Sequence, residues 1–360
     1  MAFGISVYTS DDFSSQKNKE YIKMAKDLGV CAVFTSMHIP EIEYDRKINE
    51  IKDLIEYIKL LNMKLTIDIS PVTMNILGSS PDNLKPFYDL EIDCLRLDCG
   101  FTTDEIVEMT KNEYGIKIEL NASTITKQQI DDLIAKKVDL RNLSACHNFY
   151  PKPYTGLSYE FFREKTLMIK NYGLKVSAFI PSQKCKRGPI YEGLPTLEIH
   201  RNIKPDIAAR HLIYSGIDDV YFGDAYASFD EINDVTSIDN NVIELKINLV
   251  SDITDCEKDL IFSCIHTNRS DSSEYIVRSE ESRGYAKIGM KIKAHNCIDR
   301  KKYCVTIDNE NFKRYSGELN ICMVDLPKDE RVNVVGYITE EEYILADLVK
   351  PGVKFRFRKG

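Results

Sequence analysis

Residues 94–100 read CLRLDCG, and the way this stretch divides between two faces decides the fold. Side chains alternate along an extended chain, so Leu95 and Leu97 share one face while Arg96 and Asp98 share the other. The same division recurs upstream in KLTIDIS (64–70), where Ile67 and Ile69 oppose Asp68 and Ser70. It recurs downstream in KIELNAS (117–123), where Ile118 and Leu120 oppose Glu119 and Asn121. The apolar face must be covered, and buried charges persist only where they pair or perform chemistry. Strands that pack outward under helices and inward around a shared polar axis meet both demands.

Working outward, strand-like runs occur at 3–9, 31–37, 64–70, 94–100, 117–123, 141–147, 175–181 and 219–224. Between them lie segments of helical period at 17–28, 47–61, 81–88, 103–112, 127–136, 159–171 and 205–215. Thr126 and Ser158 stand where N-caps are expected, and Gly29, Gly173 and Gly216 where helix C-terminal glycines are expected. This alternation predicts a (β/α)8 TIM barrel over residues 1–236. A doubly wound open sheet is disfavoured, because no G-x-G-x-x-G follows the first strand and polar residues cluster at many strand ends.

After the acidic stretch 230–241, read as a linker, the pattern changes. Short alternating runs at 242–250, 261–265, 275–277, 303–307, 318–325, 332–338 and 354–357, with one helical segment at 340–348, predict a smaller all-β barrel over 237–360.

The 360 residues carry 48 Lys+Arg against 56 Asp+Glu, a formal charge of -8, which gives no general attraction to nucleic acid or to an anionic membrane. No apolar run approaches the roughly 20 residues of a membrane span. The opening MAFGISVYTSDDF lacks the pattern of a secretory signal. Ten cysteines without a C-x-x-C pair, several inside apolar runs, read as reduced thiols of a cytoplasmic protein, with no metal site.

In such a barrel the chemistry sits at the carboxyl ends of the strands. Strands three to five would gather Asp68, Arg96, Asp98, Glu119 and Asn121 into one water-poor cluster. Its readings are an ion-pair network around Arg96, a set of acid/base or nucleophilic carboxylates, or a divalent-metal site. Other strand ends offer His38 and Glu41, then His147, Asn148 and Tyr150, then Glu198, His200 and Arg201, then Asp224 and Tyr226. Lys184, Lys186 and Arg187 precede Gly188 after strand seven, where barrel enzymes often hold a phosphate.

The runs GISVY (4–8), FTSMHIPE (34–41), LRLDCGF (95–101), HNFYPKPYTGLS (147–158) and KRGPIYEGLPTLEIHR (186–201) resemble the signatures of the 6-phospho-N-acetylmuramidase family. HTNRSD (266–271), RSEESRG (278–284), VTIDNENFKRYSGELNI (305–321) and RVNVVGYI (331–338) resemble its small cyclophilin-like domain. Where that pattern has a glycine-containing turn before a strand, this sequence has Lys301-Lys302-Tyr303-Cys304.

The resemblance implies a cytoplasmic glycoside hydrolase of peptidoglycan recycling that needs no cofactor. Its substrate would be N-acetylmuramic acid 6-phosphate linked β-1,4 to N-acetylglucosamine. The resemblance does not say which carboxylate does what; the residues are read with Glu119 as the general acid and Asp98 as the nucleophile or stabiliser, Asp68 close behind, or with the substrate's 2-acetamido group attacking and a carboxylate orienting it. Lys186, Arg187 and Arg201 would hold the phosphate and the lactyl carboxylate. Asn148 and Tyr150 would contact acetamido or hydroxyl groups, with Arg96, Asn121, His38, His147, Glu198 and Asp224 completing the pocket. With no tryptophan present, Tyr150, Tyr154, Tyr191 and Tyr226 are the candidates for stacking on a sugar ring. Arg269, Arg278 and Arg283 form a second basic group in the small domain. The competing functions are a metal-dependent barrel lyase or phosphoester hydrolase, with Asp68, Asp98 and Glu119 as ligands, and a sugar-phosphate-binding regulator without turnover.

Overall fold

The computed structural model describes residues 1–9, 14–36, 44–271, 273–284 and 291–360. Eight parallel strands close into a barrel in chain order: β1 (Ala2–Ser6), β2 (Ala32–Ser36), β3 (Lys64–Ile69), β4 (Cys94–Leu97), β5 (Lys117–Asn121), β6 (Leu143–Cys146), β7 (Val176–Ile180) and β8 (Asp219–Phe222). The circle is sealed where β1 pairs with β8, setting Gly4 beside Tyr221. A Cβ on Gly4 would come within 2.2 Å of the Tyr221 ring, so only glycine lets that ring lie across β1.

The outward face is the expected aliphatic one. Ile67, Ile69, Leu95, Leu97, Ile118 and Leu120 are all buried and belong to one core with the surrounding helices. Burying each such side chain is worth roughly 1.5–3 kcal/mol. Inside the barrel, Phe34 and Phe179 meet edge to face at 5.2 Å, and Phe149 and Tyr221 add to them at 5.1 and 5.9 Å from Phe179. Ser158 caps the helix Tyr159–Lys170, Thr126 forms a capping box with Gln129, and Gly29, Gly173 and Gly216 take positive φ.

Three sequence expectations need correction. The helix expected at 81–88 is shorter, Lys85–Asp89, and is preceded by one that was not expected, Pro71–Ile76 capped by Ser70. Most of the stretch read as linker is helix Phe229–Thr236, started by a Ser228–Glu231 capping box. The run 261–265 is not a strand. It ends the helix Asp255–Phe262, which Thr254 and Glu257 begin with the same device.

The chain divides into two compact units, 1–238 and 239–360. The second carries β9 (Ile243–Leu249), β10 (His266–Thr267), β11 (Ile276–Arg278), β12 (Cys304–Asp308), β13 (Leu319–Cys322), β14 (Val332–Ile338) and β15 (Lys354–Lys359). They form one sheet in the order β10-β15-β9-β14-β12-β13-β11, and an isolated bridge between Asn268 and Ser279 joins its two edges, which gives the sheet its barrel-like curl. The turn that lacks glycine is made by Tyr303 at φ 66, held by stacking on Tyr343 at 4.0 Å and by its hydroxyl donating to Asp347. All ten cysteines are free thiols.

Candidate active site

Strand register sets Asp68 beside Arg96 and Arg96 beside Glu119. Arg96 is 4% exposed and makes the central ion pair of the barrel mouth. Its Nη1 donates to Asp68 Oδ1 at 2.7 Å and lies 3.8 Å from Asp98 Oδ1. Its Nη2 donates to Asn148 Oδ1, which fixes the amide from β6 against the same guanidinium. Asp68 is nearly buried, whereas the Asp98 side chain remains 41% exposed. The two carboxylates therefore share one cation but differ in access to water. Asn121 ends β5 half-buried, and its Oδ1 accepts from the Ser123 amide.

Glu119 does not join this group as expected. Its Oε1 accepts from Ser177 Oγ at 3.0 Å, and its side chain lines a cavity of about 1580 Å³ at the opposite, amino end of the barrel. Thr66, Cys94, Ser144, Ser177, Asp219 and Tyr221 share that lining, with Lys64 and Lys175 farther out. Burial pushes the Glu119 carboxyl up to about 7, against the pull of Arg96 and the Ser177 hydrogen bond. The expected cluster is thus split by depth: Glu119 sits a full pleat below Asn121 on the same strand, buried, with its side chain lining the amino-end cavity. Asp68, Arg96 and Asp98 stay at the mouth.

The loops after β6 and β7 are bound to each other by Arg201. Its Nε donates to Glu198 Oε1 at 2.7 Å, its Nη1 to the carbonyls of Glu192 and Gly193, and its Nη2 to those of Tyr150 and Lys152 and to Glu198 Oε2. Every N–H is engaged, so this arginine has no donor left for a substrate anion. Glu198 in turn accepts the amides of Tyr154 and Gly156, and the Arg201 hydrogen bonds hold its carboxyl down at about 2. A Cβ on Gly156 would lie 2.7 Å from Glu198. Asp224 is fully buried and accepts the amides of Ser182, Leu194 and Arg187. Arg201, Glu198 and Asp224 are loop-building residues, not the ligand contacts expected from the sequence.

His147 is corrected as well. It follows β6 on the outward face, is fully buried, and shares hydrogen bonds with Ser123 Oγ at 3.3 Å and Thr166 Oγ1 at 3.0 Å. Burial drives its pKa down to about 3, so it stays neutral and structural. The alternation that sends Cys146 and Asn148 inward already sends His147 outward. His200 is buried against His211 at 2.9 Å. His38 and Glu41 lie outside the described residues.

Lys186 and Arg187 remain half-buried at the mouth, and among the described residues no salt bridge is made by Lys184, Lys186 or Arg187, although Lys186 lies near enough to Asp224 to pull its carboxyl pKa down against burial. The Arg187 guanidinium lies 3.5 Å above the ring of Tyr8, a residue the sequence reading left out although it continues the inward series Gly4, Ser6 on β1. Tyr154 is 93% exposed and Tyr191 62% exposed, while Tyr226 packs edge-on against Tyr21 and donates to Asn18. Tyr150 is half-buried and bound through its backbone to Pro195. In the small domain Arg269 and Arg278 both pair with Asp271, and Arg283 lies 3.7 Å from Glu318. Among the described residues, no group of three or more His, Cys, Asp or Glu side chains is arranged to hold a metal ion, and no helix is long and apolar enough to cross a membrane.

Comparison with known proteins adds a name to this geometry. No curated protein matches the chain. The crystal structure of an uncharacterised B. cereus protein is 34% identical over 99% of each chain, with a TM-score of 0.88. A conserved Enterococcus faecalis protein of unknown function is 35% identical, covering 100% of this chain and 96% of its own, with a TM-score of 0.69. The family model of the 6-phospho-N-acetylmuramidase N-terminal part matches residues 3–237, and that of its C-terminal part matches residues 243–358. On these matches, the chain belongs to the 6-phospho-N-acetylmuramidase family.

Proposed function

We propose that this chain hydrolyses the β-1,4 bond between N-acetylmuramic acid 6-phosphate and N-acetylglucosamine, without a cofactor, as a cytoplasmic step of peptidoglycan recycling. The observation that carries the reading is a juxtaposition at one end of the barrel. Two carboxylates share Arg96 there, and two cations, Lys186 and Arg187, make no salt bridge among the described residues, Lys186 feeling only the field of the backbone-bound Asp224. A substrate with a phosphate monoester and a lactyl carboxylate needs such local positive charge, because the chain as a whole is acidic.

The roles follow from access. Asp98, partly exposed at the rim, exchanges protons with water and is assigned as the acid that protonates the leaving oxygen. Asp68, fixed by Arg96, is assigned to stabilise the anomeric centre or to orient the 2-acetamido group. Both carboxylates lie beside one guanidinium nitrogen, so their near oxygens are separated by no more than the lower edge of the roughly 6.5–9.5 Å gap of inverting enzymes. Retention of the β configuration is the expected outcome. Glu119 is left out of the chemistry because it opens to the amino-end cavity. Tyr154 and Tyr191 supply the exposed aromatic faces on which a pyranose can stack.

The purified protein should release N-acetylglucosamine from the phosphorylated disaccharide, with proton NMR recording the configuration of the new muramic hemiacetal. Turnover should survive a strong chelator. An intact disaccharide that binds without cleavage would establish the regulator instead, and chelator-sensitive turnover the metal-dependent enzyme.

A further inference from the structure

We infer that Tyr8 is a positioning residue, fixing the Arg187 guanidinium so that its edge meets the substrate's phosphate. This rests on the assignment of Arg187 to the phosphate given above. An arginine on a loop gives up rotamer freedom when a ligand freezes it. Here the freezing is done in advance from two sides. The Arg187 amide donates to Asp224 Oδ1 at 2.8 Å, and the other oxygen of that carboxylate takes the amides of Ser182 and Leu194, so the backbone around the arginine is fixed. The guanidinium carbon lies over the Tyr8 ring, 3.5 Å from its centroid, the contact distance of two stacked planar groups.

Tyr8 is itself rigid. It is 4% exposed, its hydroxyl donates to the Gly223 carbonyl at 2.7 Å, and its own carbonyl accepts from Asn18 Nδ2 at 3.0 Å. The ring therefore spans the seam between β1 and β8 at the mouth. Stacking occupies the face of a guanidinium and leaves its N–H donors in the plane, where a phosphate accepts two of them in parallel. No carboxylate among the described residues competes for that edge. Burial pushes the Tyr8 phenol up to about 12, so it stays protonated at neutral pH and holds its bond to Gly223. Its part is geometric, not acid/base.

The test compares kcat and KM of wild type and four variants on a phosphorylated muramyl aryl glycoside and on its unphosphorylated counterpart. The readout is the ratio of kcat/KM between the two substrates. Arg187→Ala should lower that ratio roughly 10–100-fold. Tyr8→Leu should lower it about tenfold, through KM with kcat within about twofold, because the charge remains and only its placement is lost. Tyr8→Phe keeps the ring face but loses the hydroxyl bond to Gly223, so its ratio should fall by no more than about threefold, clearly less than for Tyr8→Leu. The double variant Tyr8→Leu/Arg187→Ala should be no worse than Arg187→Ala alone, since the two act as one unit. Should Tyr8→Leu not fold, Tyr8→Met, whose flexible unbranched side chain can fill the site without a ring face, replaces it. If Arg187→Ala lowers the ratio and the Tyr8 variants do not, or if they reduce both substrates equally, Tyr8 is mere packing. If Arg187→Ala leaves the ratio unchanged, the phosphate assignment itself is wrong.

Discussion

The two ends of the barrel use the same kind of residue for different ends. At the mouth, Asp68 and Asp98 are charge-compensated by Arg96, and Asn148 completes the guanidinium's contacts. At the amino end, Glu119 sits among hydroxyls, a thiol and another acid, with one hydrogen bond from Ser177 and its pKa raised by burial. Both sets point inward on adjacent strands, and in sequence they look alike. The difference is depth: a strand of five residues spans the barrel, so two residues along it separate a group facing the mouth from one facing the opposite opening. A raised carboxyl pKa, on its own, therefore does not identify the acid of this enzyme.

The sharpest test of the contrast is Arg96→Met. It takes the guanidinium away from the nearly buried Asp68, and removal of one member of a buried pair costs roughly 3–5 kcal/mol. Urea unfolding should show a loss of that size, and a loss under about 1 kcal/mol would mean that the mouth is not organised around this pair. Next is Asp98→Asn, expected to cut kcat on the phosphorylated substrate by about 100-fold or more while leaving the melting temperature nearly unchanged. Near wild-type turnover would remove Asp98 from the chemistry.

A smaller effect is expected for Arg201→Lys. One ammonium cannot reach all six acceptors that the guanidinium holds, so stability should fall by roughly 1–3 kcal/mol, with phosphorylated and unphosphorylated substrates affected alike. A loss confined to the phosphorylated substrate would return Arg201 to anion binding. The smallest change in rate is expected for Glu119→Gln, which should keep kcat within a few-fold. A loss of about 100-fold would move the general acid back to this position. The variant should instead alter stability. Folding raises the Glu119 pKa from 4.5 to about 7, so the native state holds the proton longer than the unfolded chain. The stability this contributes is complete below pH 4.5 and is lost as pH rises through 7. Thermal melts should show wild type losing ground to Glu119→Gln over that interval and a constant gap above it.

Much of this was legible in the sequence, for stated reasons. Period-two alternation in 64–70, 94–100 and 117–123 sorts aliphatic from charged faces correctly, because one residue of slip would bury the charges under helices. The same rule applied to HNF would have turned His147 outward, and applied to GISVY would have put Tyr8 into the mouth beside Ser6. Other features were not legible. Arg187 and Arg201 lie in one basic run, and only the fold shows that Arg201 is consumed by backbone carbonyls while Arg187 rests on an aromatic ring. Asp224 looked like a ligand because it ends a strand, yet three amides converge on it. Thr254-x-x-Glu257 was a readable capping box that the apolar run after it obscured.

The Arg201–Glu198 clamp also says how this end of the molecule should breathe. Tyr154 presents almost its entire surface to water, yet its amide and that of Gly156 are tied to a carboxylate that is itself tied to the neighbouring loop. Hydrogen exchange at these two positions should therefore be slow for such an exposed loop tip. It should report a joint opening of residues 150–156 with 192–201 as a single cooperative unit, so that the loops after β6 and β7 gain and lose order together.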